Sequence, residues 1–114
     1  MLVLKCYPIQ PVNDEIRIFL FTAVRELLAN VTKHARAEKV KVTVRKAENN
    51  ISIHVADNGA GFNAAKMHFY LDENKGFGLF SIRERLHHLG GQMEIRSQKN
   101  RGTRVILHAP LKHQ

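Results

Sequence analysis

Disulfide bonds and membrane-spanning segments are the first features that this sequence lacks. Its single cysteine, Cys6, excludes an internal disulfide and fits a reducing compartment. No uninterrupted apolar run is longer than residues 18–21, whereas a transmembrane helix needs about 20 apolar residues. No small-residue cleavage site follows a charged N-terminal region. We therefore expect a cytoplasmic chain without a membrane segment of its own, which leaves open a membrane anchor elsewhere in a longer protein.

Several common catalytic motifs are absent as well. No Gly-Lys-Ser/Thr follows the glycines, so a Walker A phosphate loop is excluded. Ser81 lies in "LFSIR", without the Gly-x-Ser-x-Gly turn of serine hydrolases. The seven histidines include no His-x-x-x-His pair for zinc. The sequence therefore gives no support to a P-loop enzyme, a serine hydrolase or a helical zinc site.

Acidic residues are the minority among the charged residues. Eighteen Lys and Arg residues against ten Asp and Glu residues give a net charge of +8, which indicates either a polyanionic partner or solubility alone. The basic residues are spread along the chain, with a mild cluster at residues 33–45, so a nucleic-acid stripe is not favoured. The length of 114 residues, with 44% hydrophobic and 25% charged residues, predicts one globular domain.

The hydrophobic pattern predicts two helices and four strands. Apolar residues recur at helical spacing through residues 13–34, where Asn13 or Asp14 would cap the helix, and again through residues 79–89, where Gly90 and Gly91 would end it. Alternating patterns predict strands at residues 39–46, 51–57, 92–97 and 103–109. This order predicts a two-layer α/β sandwich, with helices on one face of a mixed, mainly antiparallel sheet.

The first predicted helix carries a polar stripe formed by Glu26, Asn30, Lys33 and His34, spaced three or four residues apart. Such a stripe is often only a solvated helix face. Its chemistry also suits a metal-bound polyphosphate, because Mg²⁺ prefers hard oxygen ligands and phosphate oxygens accept from cationic donors. Both interpretations remain open from these residues alone.

Glycines lie beside two other polar positions. Gly76 and Gly78 precede the second predicted helix, where free amides and the helix dipole attract anions, although a plain loop-to-helix junction has the same sequence. Asp57 ends a predicted strand before Gly59 and Gly61. An ionised carboxylate only accepts hydrogen bonds, so in a pocket it would accept from the exocyclic amine of adenine and reject guanine.

Four short motifs occur in order: Glu26-x-x-x-Asn30-x-x-Lys33-His34, Asp57-Asn58-Gly59-x-Gly61-Phe62, Gly76-x-Gly78-Leu79 and Gly102-Thr103. Together they resemble the N, G1, G2 and G3 boxes of the GHKL ATP-binding superfamily, over residues 14–111. The segments "IRERLHHLGGQMEIRS" and "GTRVILHAPL" are most similar to catalytic domains of bacterial sensor histidine kinases paired with LuxR-like response regulators.

The resemblance implies a GHKL fold, ATP and Mg²⁺ as ligands, and roles for matching positions. Asn30 would bind Mg²⁺, Asp57 would bind the adenine amine, and Glu26 would be the catalytic residue, activating water in ATPases or assisting phosphoryl transfer in kinases. Residues 63–75 would form the ATP lid. The implied ATP-binding residues are Asn30, Lys33, His34, Asp57, Gly59, Gly61, Phe62, Gly76, Phe77, Gly78, Leu79 and Thr103.

Kinases of this branch carry their phosphoacceptor histidine on a separate helical hairpin, for which residues 1–114 leave no room. We therefore expect a single ATP-binding domain from a longer protein, with that hairpin as direct partner, a response regulator as indirect partner and no nucleic-acid partner. None of the histidines is assigned as the acceptor. The alternatives are an anti-sigma-factor serine kinase of the same superfamily and a non-catalytic nucleotide- or nucleic-acid-binding module.

Overall fold

The computed structural model describes residues 2–6, 14–32, 37–47, 49–61 and 78–111. Their regular elements are, in chain order, β1 (Leu2–Cys6), α1 (Asp14–Asn30), β2 (Val40–Ala47), β3 (Asn50–Asp57), α2 (Leu79–His88), β4 (Gln92–Gln98) and β5 (Gly102–Pro110). The strands form one sheet in the order β1-β2-β3-β5-β4. The β1–β2 pair is parallel and the other pairs are antiparallel, which confirms the mixed, mainly antiparallel sheet.

One hydrophobic core lies between the sheet and both helices. The buried residues of α1 are Ile16, Leu20, Ala23 and Leu27, as the helical spacing predicts. They pack with Leu79, Ile82 and Leu86 of α2 and with alternate residues of the strands, including Val42, Ile51, Ile53, Val55, Val105, Leu107 and Ala109. Because alternate strand residues point to opposite faces, both helices cover the same face of the sheet. The predicted two-layer α/β sandwich is therefore confirmed.

The two helices are also joined at their surface by an ion pair. Arg85 of α2 contacts Glu15 of α1, with 3.3 Å between Nη2 and Oε1.

Helix α2 ends where the sequence predicts. The amide of Gly91 donates to the carbonyl of Leu86 at 2.7 Å, and the amide of Gly90 donates to the carbonyl of His87 at 3.0 Å. These two bonds form a Schellman motif, which satisfies carbonyl groups that the helix end leaves without partners.

The first strand, β1, is absent from the sequence prediction. Its segment, "LVLKC", does not alternate, and its hydrogen bonds are made to β2, which lies beyond α1 in the chain. Local pattern cannot show such a pairing. The regular α-helix α1 ends at Asn30, and a wider, π-type turn follows at Val31 and Thr32. The predicted end at residue 34 lies outside the described residues.

No helix among the described residues is long and apolar enough to cross a membrane.

Candidate functional site

Glu26 of α1 lies against Gly78, the residue that directly precedes α2. Gly78 occupies the left-handed region with φ +77°, and a Cβ built on it would lie 2.5 Å from Cγ of Glu26 and 2.7 Å from Oε1. No side chain fits there unless Glu26 moves, so the glycine is needed for close packing as well as for backbone conformation. The structure thus brings together the first and third motifs, which are distant in sequence.

Asn30 is the last residue of α1 and is partly exposed. It lies one helical turn beyond Glu26, so both side chains point to the same side of α1. The π-type turn that follows contains Thr32, whose hydroxyl donates to the carbonyl of Leu28 at 3.1 Å. Such turns interrupt the regular ladder and are frequent at functional sites.

Asp57 is held at the end of β3 by backbone amides. Its Oδ1 accepts from the amide of Gly59 at 2.8 Å, and the amide of Thr103 also donates to this carboxylate. Asp57 and Thr103 are register partners in the β3–β5 pair. The carboxylate is therefore fixed in direction, as a group that selects one hydrogen-bonding pattern must be.

Burial raises the pKa of Asp57 above its ordinary value, and the amides of Gly59 and Thr103 oppose that rise. The larger effect is desolvation, which disfavours the charged form. Asp57 is thus a carboxylate kept partly out of water, and no charged side chain of the described residues lowers its pKa. An incoming hydrogen-bond donor would replace part of its lost hydration.

A hydroxyl pair lies next to Asp57. Oγ of Ser97 is 2.8 Å from Oγ1 of Thr103, and Ser97 also donates to the carbonyl of Gly102 at 3.1 Å. Gly102 has φ +85°, and a Cβ on it would collide with the carbonyl oxygen of Asp57. This glycine therefore lets β5 approach the end of β3 closely enough for Thr103 to reach Asp57.

Two supporting residues, Asn58 and Ser97, are given no role by the sequence analysis. Asn58 accepts at Oδ1 from the amides of Glu38 and Lys39, both at 2.9 Å, and so ties the end of β3 to the segment before β2. Its position directly after a strand-ending Asp is a turn signal that could have indicated this role. Ser97 could have been found only from the register of the β4–β5 hairpin, in which it lies opposite Thr103.

The remaining predicted site residues are distributed as follows. Gly59 is buried beside Asp57, and Gly61, at φ +64°, packs against the carbonyl of Gln98. The side chain of Leu79 belongs to the core. Several predicted site residues lie outside the described part of the chain: Lys33, His34, Phe62, Gly76, Phe77 and the proposed lid, residues 63–75.

An open groove of about 240 Å³ lies at this end of the sheet. Asp57, Gly102 and Thr103 line it together with three arginines, Arg96, Arg101 and Arg104, and with neighbouring residues of β3 and β4. Three cationic side chains and one carboxylate-bearing residue therefore line the same groove. Within the described ranges, no three His, Cys, Asp or Glu side chains gather into a metal site.

The chain resembles known proteins over most of its length. The sequence profile of the family described as "Histidine kinase-, DNA gyrase B-, and HSP90-like ATPase" matches residues 15–113. The signal transduction histidine-protein kinase/phosphatase DegS of Brevibacillus brevis is 34% identical over 98 residues, which are 86% of this chain and 24% of that protein. The oxygen sensor histidine kinase NreB of Staphylococcus carnosus is 38% identical over 104 residues, 90% of this chain and 28% of that protein.

Solved structures agree with the fold. The Erythrobacter litoralis EL346 blue-light activated histidine kinase has a TM-score of 0.82 at 20% identity, covering 99% of this chain and 36% of that one. The catalytic domain of histidine kinase ThkA has a TM-score of 0.79 at 18% identity, covering 96% of this chain and 77% of that one. The chain spans about a quarter of the length of DegS and NreB. It therefore belongs to the histidine kinase-, DNA gyrase B- and HSP90-like ATPase family, in which it corresponds to the ATP-binding catalytic domain of sensor histidine kinases.

Proposed function

We propose that this domain binds Mg·ATP at the end of the sheet that carries Asp57 and transfers the γ-phosphoryl group to a histidine on a separate domain. The observation that carries the proposal is the fixed carboxylate of Asp57, held by the amides of Gly59 and Thr103. The close packing of Glu26 on Gly78 also supports the proposal. Both features involve residues of the motifs that the family uses for the nucleotide.

Adenine is the base that Asp57 favours. Its carboxylate accepts hydrogen bonds and cannot donate one when ionised, so it pairs with the exocyclic amine of adenine and is repelled by the carbonyl of guanine. Thr103 lies beside it with its hydroxyl shared with Ser97, an arrangement that suits a second hydrogen bond to the base, through water. Discrimination of this kind is strong because a mismatched base leaves buried polar groups without partners.

The triphosphate would extend from the base toward α1 and the start of α2. Asn30 supplies a neutral oxygen for Mg²⁺, and it would not repel the phosphates as a carboxylate would. Mg²⁺ keeps several waters and is commonly held by one or two protein oxygens together with substrate phosphates, so one side chain such as that of Asn30 would be enough to hold it. When bound, Mg²⁺ would neutralise charge on the β- and γ-phosphates. Lys33 and His34 would donate to phosphate oxygens, and Gly76 and Gly78 would offer backbone amides.

Phosphoryl transfer needs little covalent chemistry from the protein, because positioning and charge neutralisation supply most of the rate. Glu26 packs on Gly78, which belongs to another of these motifs, and this contact supports the role that we assign to it: Glu26 would orient the attacking group or accept a proton from it. The attacking nitrogen would belong to a helical hairpin on the same or a paired chain. A LuxR-like response regulator would then receive the phosphoryl group, in a cytoplasmic two-component pathway.

The test is to incubate the chain with γ-labelled ATP and Mg²⁺, alone and with a helical hairpin carrying the acceptor histidine. We expect little phosphate release and no stable label on the chain alone, and label on the hairpin when it is added. A hairpin whose acceptor histidine is replaced by Gln serves as the control. Stable label on this chain itself, or rapid phosphate release that Glu26→Ala abolishes, would contradict the proposal.

A further inference from the structure

The sheet face opposite the helices is a patterned surface of its own. Strand register places its residues in three rows that cross β2, β3, β5 and β4. The first row is Lys41, Ala56, Arg104 and Arg96; the second is Thr43, His54, Ile106 and Glu94; the third is Arg45, Ser52, His108 and Gln92. We call these twelve residues the outer sheet face.

Positive charge is concentrated on the outer sheet face. It carries four Lys or Arg side chains, all exposed, and one carboxylate, that of Glu94. The helices, by contrast, carry as many acidic residues as arginines, since Asp14, Glu15, Glu26 and Glu84 balance Arg17, Arg25, Arg83 and Arg85. Among the described secondary-structure elements, the excess positive charge therefore lies on the strands of the sheet.

The two arginines of the first row repel each other. Arg96 and Arg104 lie directly opposite each other on neighbouring strands, an arrangement in which like charges destabilise a sheet. Arg96 has a long contact with Glu94, 3.9 Å between Nη2 and Oε2. Within the described part of the chain Arg104 makes no ion pair, and both arginines line the groove beside Asp57. A partner's carboxylate would relieve this repulsion.

We propose that the outer sheet face is a docking surface for an acidic segment of a partner protein. Charge complementarity gives the sign of the partner. The single Glu94 among cations favours a protein, which can oppose it with a cation, over a uniform polyanion. Polar groups for directional hydrogen bonds, those of Thr43, Ser52 and Gln92, lie between the charges.

Other polyanions fit this face less well. Ile106 is the one large apolar side chain among these twelve residues, and it is only 5% exposed, so the outer sheet face offers little apolar surface for insertion into a membrane. None of the five strands contains Phe, Tyr or Trp. The face therefore lacks the aromatic side chains on which single-stranded nucleic acids stack.

The test uses the 114-residue chain and a fluorescein-labelled Glu-Ser repeat peptide, with binding followed by fluorescence anisotropy across a range of salt concentrations. Arg104→Glu and Lys41→Glu should each weaken binding about tenfold or more, since a charge reversal removes one attraction and adds one repulsion. Arg104→Glu should fold, because a glutamate opposite Arg96 forms a favourable cross-strand pair.

The matched control is Arg17→Glu, which changes the net charge equally on the helix layer and should leave peptide binding within about twofold. Phosphatidylcholine–phosphatidylglycerol vesicles and duplex DNA are tested in parallel. Equal weakening by Arg17→Glu, or no weakening by either sheet variant, would overturn the proposal. Tighter binding of vesicles or DNA than of the peptide, lost with the same two sheet variants, would also overturn it.

Discussion

Thr103 donates its backbone amide to the carboxylate of Asp57, its register partner across β3 and β5. The two residues come from motifs far apart in the sequence, and Gly102 permits their approach because no Cβ separates β5 from the carbonyl of Asp57. The proposed adenine contact is therefore a product of strand pairing. Substitutions at this pair should therefore affect nucleotide binding and the free energy of unfolding differently.

Asp57→Ala should weaken ATP binding by about 1.5 to 3 kcal/mol, the usual value of a hydrogen bond to a charged group. This corresponds to a roughly tenfold to hundredfold rise in Kd. Calorimetric titration of the folded variant with ATP measures it, and the affinity for GTP, which we expect to be weak in the parent protein, should change less. Unchanged ATP affinity would exclude this role for Asp57.

Asp57→Asn should make the ligand-free protein more stable at neutral pH. The folded-state pKa of Asp57 is raised by burial, so folding is penalised once pH exceeds that pKa, where the carboxylate is charged in both states. Asparagine removes the charge and keeps an oxygen for the amides of Gly59 and Thr103. Urea unfolding at a series of pH values checks this: the gain should shrink as pH falls and Asp57 becomes protonated. A variant less stable than the parent at neutral pH would contradict it.

Asn30→Ala should weaken Mg·ATP more than it weakens adenosine. Asn30 lies at the end of α1, on the side that carries Glu26, and its proposed ligand is the ion associated with the phosphates. Titrations with both ligands, each with Mg²⁺ and with EDTA, provide the comparison. Equal weakening of both ligands would show that Asn30 has a structural role and that the metal is held elsewhere.

The sequence predicted those parts of the fold that depend on local pattern. The periodicity of α1 and the alternation of β3 gave the buried residues correctly, because one face of each element meets the core. The strand β1 was missed, since its hydrogen bonds are made to β2 beyond α1. Likewise, Asp57 was singled out from its motif, but its pairing with Thr103 and the hydroxyl contact of Thr103 with Ser97 depend on register between strands. Local sequence does not determine that register.

His54 should make the protein less stable as pH falls. Burial, assisted by the positive charges of Arg104, His108 and Arg45, lowers the pKa of His54, and Glu94 opposes this only weakly. The unfolded chain therefore takes up this proton first, near the ordinary pKa of about 6.5, and stability falls as pH drops through the lower folded-state pKa. His54→Gln should reduce the loss of stability between neutral and mildly acidic pH, measured by thermal unfolding. An unchanged pH dependence in this variant would show that other groups govern the acid sensitivity.

Gly78→Ala should destabilise the domain through its contact with Glu26. A left-handed conformation costs a non-glycine residue about 1 to 2 kcal/mol, and the new methyl group would also displace the Glu26 side chain, whose Cγ lies 2.5 Å from the position of the added Cβ. Glu26→Ala removes the clash and leaves the backbone strain. The double variant should therefore be more stable than the sum of the two single changes predicts, by about 1 kcal/mol or more, as expected for residues in direct contact. Urea unfolding of the four proteins gives this coupling energy, and Gly90→Ala, at a left-handed glycine whose Cβ would meet only Pro110 at 3.8 Å, is the control for strain without a clash. Additive effects of Gly78→Ala and Glu26→Ala would show that Glu26 yields without cost, and that its contact with Gly78 does not fix the carboxylate in place.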